Sequence, residues 1–255
     1  VKRRLFSSLI FGYSRVMTPA DAALLRRYTH LRDVEVNLNE ALGAMLTDAA
    51  LNFAARTLGV PERGEALYEA EDFRVCLEFA IYHHRVRGRT VIERMLATRK
   101  PAVRSDTHLV LTAMVNSKVS LFRLGERTPG VGVQVEDVLF GPRRFLADIQ
   151  LSGWKRQEEK FIVTRLLVFE DFSMTPCTSW LDFDPELARM LSAGLTGESP
   201  VSMAERFASP EKRTELAADL MEMVLCSVES VREALIGRFG MAMPPAMPTK
   251  KHGPI

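Results

Sequence analysis

The chain has 255 residues, 47% of them hydrophobic and 26% charged, with a formal net charge of +2. These proportions are those of a globular protein and exclude a disordered chain, and no run approaches the ~20 apolar residues of a membrane-spanning helix. Cys76, Cys177 and Cys226 are odd in number and far apart, which excludes a disulfide framework and a paired zinc site and points to a reducing, cytoplasmic setting.

Charge is unevenly spread. Residues 1–105 carry 17 Lys or Arg against 12 Asp or Glu, residues 106–182 carry 9 against 10, and residues 183–255 carry 8 against 10. Any basic surface therefore belongs to the first part. The opening Lys2-Arg3-Arg4 and Leu5–Phe11 have the order of a signal peptide, but the apolar run contains two serines and no small-x-small cleavage site follows, so secretion is not expected.

Three helix starts use a capping side chain followed by proline at the first helical position: Thr18-Pro19, Asp184-Pro185 and Ser209-Pro210. The first helix is expected to end near His30. Leu38, Leu42, Met45, Ala49, Phe53 and Leu58 then predict a second helix stopped by Gly59 and Pro61. A third is expected from about Gly64 to Val86, with His84 partly buried and His83 at the surface. A fourth runs from the Thr90 cap through Leu96 and is ended by Pro101. Leu109–Val115 suits helix or strand, with Ser105 and Asp106 offering a cap and favouring helix.

The period changes to two from Lys118. Val119–Leu124, Val131–Asp137, Phe145–Ile149, Phe161–Phe169 and Thr175–Leu181 predict five strands, with turns at Thr128-Pro129-Gly130 and Gly141-Pro142. A short helix from Pro185 to Leu195, a loop at 197–200 and a longer helix from Pro210 to Ile236 follow. The expected architecture is α+β: a helical bundle over 1–105, a small antiparallel β-meander or barrel over 106–182, C-terminal helices over 183–240 and a flexible, proline-rich tail over 241–255.

Ser120–Leu124, Gly130–Gly141 and Ile162–Leu166 together resemble a β-segment of uncharacterised bacterial proteins, some of which carry a cysteine-rich SEC-C zinc motif. The zinc motif has no counterpart here. The resemblance implies a β-module and supplies neither an activity nor site residues.

No motif marks a catalyst. A Gly-x-Ser-x-Gly elbow is absent, Cys177 has no recognisable local signature, and Pro129–Val133 lacks the helix that a phosphate-cradling loop needs. Adjacent His83 and His84 diverge on a helix and cannot chelate one ion, so no metal or cofactor is expected. Two features carry functional content. The basic residues Arg26, Arg27, Arg32, Arg85, Arg87, Arg89, Arg99, Lys100 and Arg104 would bind nucleic acid if they converged on one face. The apolar stripe Leu216, Leu220, Met223, Val224, Val228, Val231 and Leu235 would dock a protein partner or a second copy if it were exposed. The first expectation is a non-enzymatic interaction or scaffold protein. The alternatives are nucleic-acid binding and a hydrolase or transferase of unrecognised type.

Overall fold

The computed structural model describes residues 17–60, 70–153, 159–176, 181–194 and 200–225. Within them the fold is α+β. Helices α1 (Pro19–Gly43), α2 (Asp48–Thr57), α3 (Ala70–His83), α4 (Val91–Arg99) and α5 (Asp106–Asn116) precede the sheet, and α7 (Pro185–Gly194), α8 (Pro200–Arg206) and α9 (Pro210–Leu225) follow it.

The capping signals act as the sequence predicts, Asp184 accepting the Glu186 and Leu187 amides and Ser209 the Lys212 amide. Thr18 and Thr90 each form a reciprocal capping box, with Asp21 and Glu93, and Ser105 accepts the His108 amide, which makes the following segment a helix. The second helix begins elsewhere than expected. Nothing between Leu31 and Asn37 breaks a helix, so α1 continues to Gly43, and Thr47 caps α2 through the Ala50 amide. The α8 helix was missed because its start coincides with an apparent Gly-Glu-Ser-Pro loop. The expected extensions of α3 before Ala70 and of α9 beyond Leu225, and the tail over 241–255, lie outside the described residues.

Among the described residues, seven strands form one sheet in the order β5-β6-β3-β2-β1-β4-β7: β1 (Val119–Thr128), β2 (Gly132–Asp137), β3 (Arg143–Ala147), β4 (Phe161–Arg165), β5 (Leu167–Val168), β6 (Ser173–Met174) and β7 (Leu181–Phe183). The first three make an antiparallel meander. The sheet is not wholly antiparallel, because β6 pairs with β3 in parallel through Leu146 and Ser173.

Three strand predictions need correction, the first being Thr175–Leu181, in place of which β6 ends at Met174 and β7 begins at Leu181, with residues 177–180 outside the described residues. Asp148 accepts the Leu151 amide and caps a one-turn helix, α6 (Ile149–Ser152), where strand was expected to reach Ile149. The apolar run Phe161–Phe169 is not one strand. It changes partners at Leu166, β4 lying between β1 and β7 while β5 forms a hairpin with β6. At the β2–β3 pairing, a side chain on Gly132 would place its Cβ 2.2 Å from the Leu146 carbonyl oxygen, so only glycine permits this approach.

Alternation sorts the strand residues between cores. Leu121, Phe161 and Val163 face α2, α3, α7 and α9, whereas Phe122, Val133, Val135 and Ile162 close a smaller core with Leu151 of α6. A third core joins α1, α3, α4 and α5 to Leu167, Phe172 and Met174.

Candidate functional site

The β4 alternation places Arg165 on the same face as Phe161 and Val163, pointing from the sheet into the space under α3 and α9. A fully ionised guanidinium that is 1% exposed needs compensation on every side. Its Nε donates to Glu78 Oε1 at 3.0 Å, its Nη2 donates to His83 Nε2 at 3.1 Å, and its Nη1 makes a longer 3.4 Å contact to Ser117 Oγ. The guanidinium carbon lies 3.6 Å from the centre of the Tyr82 ring, a close cation–π contact. Glu78 and Tyr82 stand one helical turn apart on α3, so a single helix face supplies both the charge and the ring.

The network determines the histidine tautomer. Thr214 Oγ1 donates to the Pro210 carbonyl at 2.9 Å, so it must accept from His83 Nδ1 at 3.2 Å. His83 Nε2 is then the acceptor that Arg165 requires. Burial, followed by the charges of Arg165, Arg85 and Arg213, holds the His83 pKa well below that of a free imidazole. His83 is therefore neutral, with both nitrogens engaged. The sequence expectation of a surface His83 is corrected: α9 covers this side of α3, while His84 packs its ring against Phe53.

A cavity of about 50 Å³ opens beside this network, between α3, α4, α5, β1, β4 and the start of α9. Arg85, Lys118, Arg165 and Arg213 line it, and Glu93 is the carboxylate among its lining residues. Among the described residues, no group of three His, Cys, Asp or Glu stands close enough to hold a metal ion.

Next to the cavity lies the largest concentration of one charge. Residues 84–105 contain seven Lys or Arg and one Glu, whereas the whole chain carries +2. In helix α4 Val91, Ile92 and Met95 turn inward and Arg94 is half-buried, so the exposed cations are Arg99 and those of the turns at either end. Arg85, Arg87, Arg89, Arg99, Lys100 and Arg104 are all exposed. Val86 and Arg89 exchange backbone hydrogen bonds of 2.9 and 3.2 Å around Arg87 and Gly88, which have φ of 53° and 77°. This is the type I′ turn usually made by Asn-Gly. The described non-glycine residues with positive φ are Arg87, Lys100 and Arg104, and all three are basic.

Of the other predicted basic residues, Arg27 and Arg32 are spent in ion pairs. Arg27 pairs with Asp106 at 2.9 Å, and Arg32 pairs at 3.2 Å with the fully buried Glu35, which also accepts from Asn39. Arg26 is exposed on α1. Arg85 belongs to both the turn and the cavity and pairs with Glu93 at 3.2 Å. Of the apolar stripe, Leu216 and Leu220 are buried in the core against the sheet. The side chains of Met223 and Val224, and the whole of Val228, Val231 and Leu235, lie outside what is described. Arg165, Glu78, Lys118 and Arg213 were not singled out from sequence. One signal was available: an arginine inside the mostly apolar run Phe161–Phe169 points to a charge paired in the interior.

A family model described as a family of unknown function, DUF7986, matches residues 22–193. The match begins within α1, covers α2–α6 and the seven described strands and ends within α7, so Arg213 and Thr214 lie beyond it. No curated protein and no solved structure matches the chain.

Proposed function

The chain belongs to the DUF7986 family, and from that starting point we propose that it is a non-catalytic nucleic-acid-binding protein that holds the phosphate backbone on the outer face of α4. The observation that carries this reading is the concentration of seven Lys or Arg and one Glu in residues 84–105, six of those cations being exposed at the end of α4 and on the turns that flank it while the apolar residues of α4 face the core. A field of one sign on this scale attracts polyanions. The nine residues of α4 span about 14 Å at 1.5 Å per residue, so the turns at its ends reach separate phosphates of one backbone.

The same segment contains no Phe, Tyr or Trp, and the bases of a single strand would find no stacking platform in it. Duplex backbone contact, without base readout, is the mode that suits it. Two observations favour binding over catalysis and over docking through the C-terminal stripe. The lone pair of His83 is already taken by Arg165, which removes it as a general base, and Leu216 and Leu220 are covered by the protein's own sheet.

Fluorescence anisotropy with duplex DNA, duplex RNA and single strands across a salt series tests the proposal. Duplex affinity should fall with salt at a slope of about −0.9 per phosphate contacted, and each of Arg87→Ala, Arg89→Ala and Lys100→Ala should flatten that slope by about one unit. Absence of duplex binding at low salt would overturn it.

A further inference from the structure

The basic face ends at the cavity, since Arg85 and Thr90, on either side of the Val86–Arg89 turn, both line it. We propose that the cavity is a phosphate-binding site that takes a terminal phosphate monoester of the duplex held on α4, an inference that rests on the preceding reading for its macromolecular partner but not for its phosphate.

Size and charge both select this chemistry. One water-sized sphere needs about 10–15 Å³ of such space, so about 50 Å³ accepts a group of roughly four oxygens and no base or sugar. A terminal phosphate fits and a nucleoside does not. Four cations surround that volume. Glu93, already bonded to Arg85 and to the Thr90 amide, is the carboxylate in its wall, and Glu78 lies behind Arg165. Outside the lining, exposed Glu211 interacts electrostatically with Arg85 and Arg213, and the buried Asp137 with Lys118. A terminal phosphate brings about −1.5 to −2 charges at neutral pH, more than the single charge of an internal phosphate, and so gains more from the same four cations.

The fixed dipoles agree with an anion. The Ser117 and Thr214 hydroxyls direct their protons to the Met114 and Pro210 carbonyls and Arg165 is engaged by Glu78, His83 and Ser117, which leaves Lys118, Arg85 and Arg213 to supply the donors for a ligand. Arg213 is held in place by its Nε and Nη2 bonds to the Ser209 and Ala208 carbonyls. The low pKa of His83 reports the same positive field: beyond burial, the charges that depress it are those of Arg165, Arg85 and Arg213.

The test has two arms on the full chain. In the first, inorganic phosphate is titrated while thermal unfolding is followed; wild type should rise in Tm with phosphate beyond the effect of chloride at equal ionic strength, and Lys118→Gln/Arg213→Gln should not. In the second, duplexes with and without terminal phosphates are compared by anisotropy. The phosphorylated duplex should bind wild type at least about tenfold more tightly, and the double variant should lose that preference while keeping its salt-dependent affinity for the hydroxyl-ended duplex. Equal binding of the two duplexes, with no specific phosphate effect on Tm, overturns the site and leaves the α4 reading standing. A phosphate effect without duplex binding supports the site and overturns the α4 reading.

Discussion

At the scale of single residues, Arg165 shows how a charge comes to occupy a core. Its partners come from three parts of the chain: Glu78, Tyr82 and His83 from α3, Ser117 from the entry to β1, and Thr214, through His83, from α9. Removing one member of a buried pair leaves the other charge without compensation, and Glu78→Gln should cost about 3–5 kcal/mol in chemical denaturation. Substituting both partners, as Glu78→Leu with Arg165→Met, should recover much of that loss; a double variant as unstable as the single one would show that the network, rather than the charge, sets the cost. His83 makes a further prediction. Its pKa is depressed in the folded state, whereas in the unfolded chain it titrates at about 6.5. Below that value the unfolded state takes up a proton that the folded state refuses, so stability should fall as pH drops through 6.5 and be fully present above it. The slope from one group is at most about 1.4 kcal/mol per pH unit. Melting curves of wild type and His83→Gln between neutral and mildly acidic pH should converge as the pH falls.

The element scale concerns α4 and its turns. A basic residue in a left-handed conformation destabilises the fold by roughly 1–2 kcal/mol, and Asn is tolerated there far better. Arg87→Asn creates the Asn-Gly pair that a type I′ turn prefers and should raise stability by about 1 kcal/mol while weakening duplex binding. Opposite signs for the two measurements would mark Arg87 as retained for its charge; a variant that gains stability and binds as wild type would remove it from the interface. The capping boxes at Thr18 and Thr90 could be read directly, because a side chain three residues from its partner is a local arrangement. The division of the Phe161–Phe169 run could not. All nine residues favour a strand, and the change of partners at Leu166 reflects where β1 ends and β6 lies.

For the whole molecule, α9 is the element that completes the arrangement. It packs on β1, β4 and β7, buries Leu216 and Leu220 among residues of α2, α3 and the sheet, and brings Thr214 and Arg213 to the Arg165 network. Leu220→Ala should cost about 2–5 kcal/mol, seen as a lower Tm, because the cavity left behind is enclosed by the core. A cost below about 0.5 kcal/mol would instead mean that α9 is peripheral to the cooperative unit.

Taken alone, the sequence determined the α+β class, most helix starts, the β1–β2–β3 meander and the excess of positive charge in the first 105 residues. Each of these depends on neighbours along the chain: caps, periodicity, turn residues and composition. Only the tertiary structure decided which arginines are spent on internal pairs, as Arg27 and Arg32 are, and which remain exposed around α4. It also decided that Leu216 and Leu220 face inward and that Arg165 meets Glu78 across 87 positions of sequence. These outcomes depend on which surfaces meet. A charged or apolar side chain has the same identity whether it is paired inside or presented outside, and only packing separates the two.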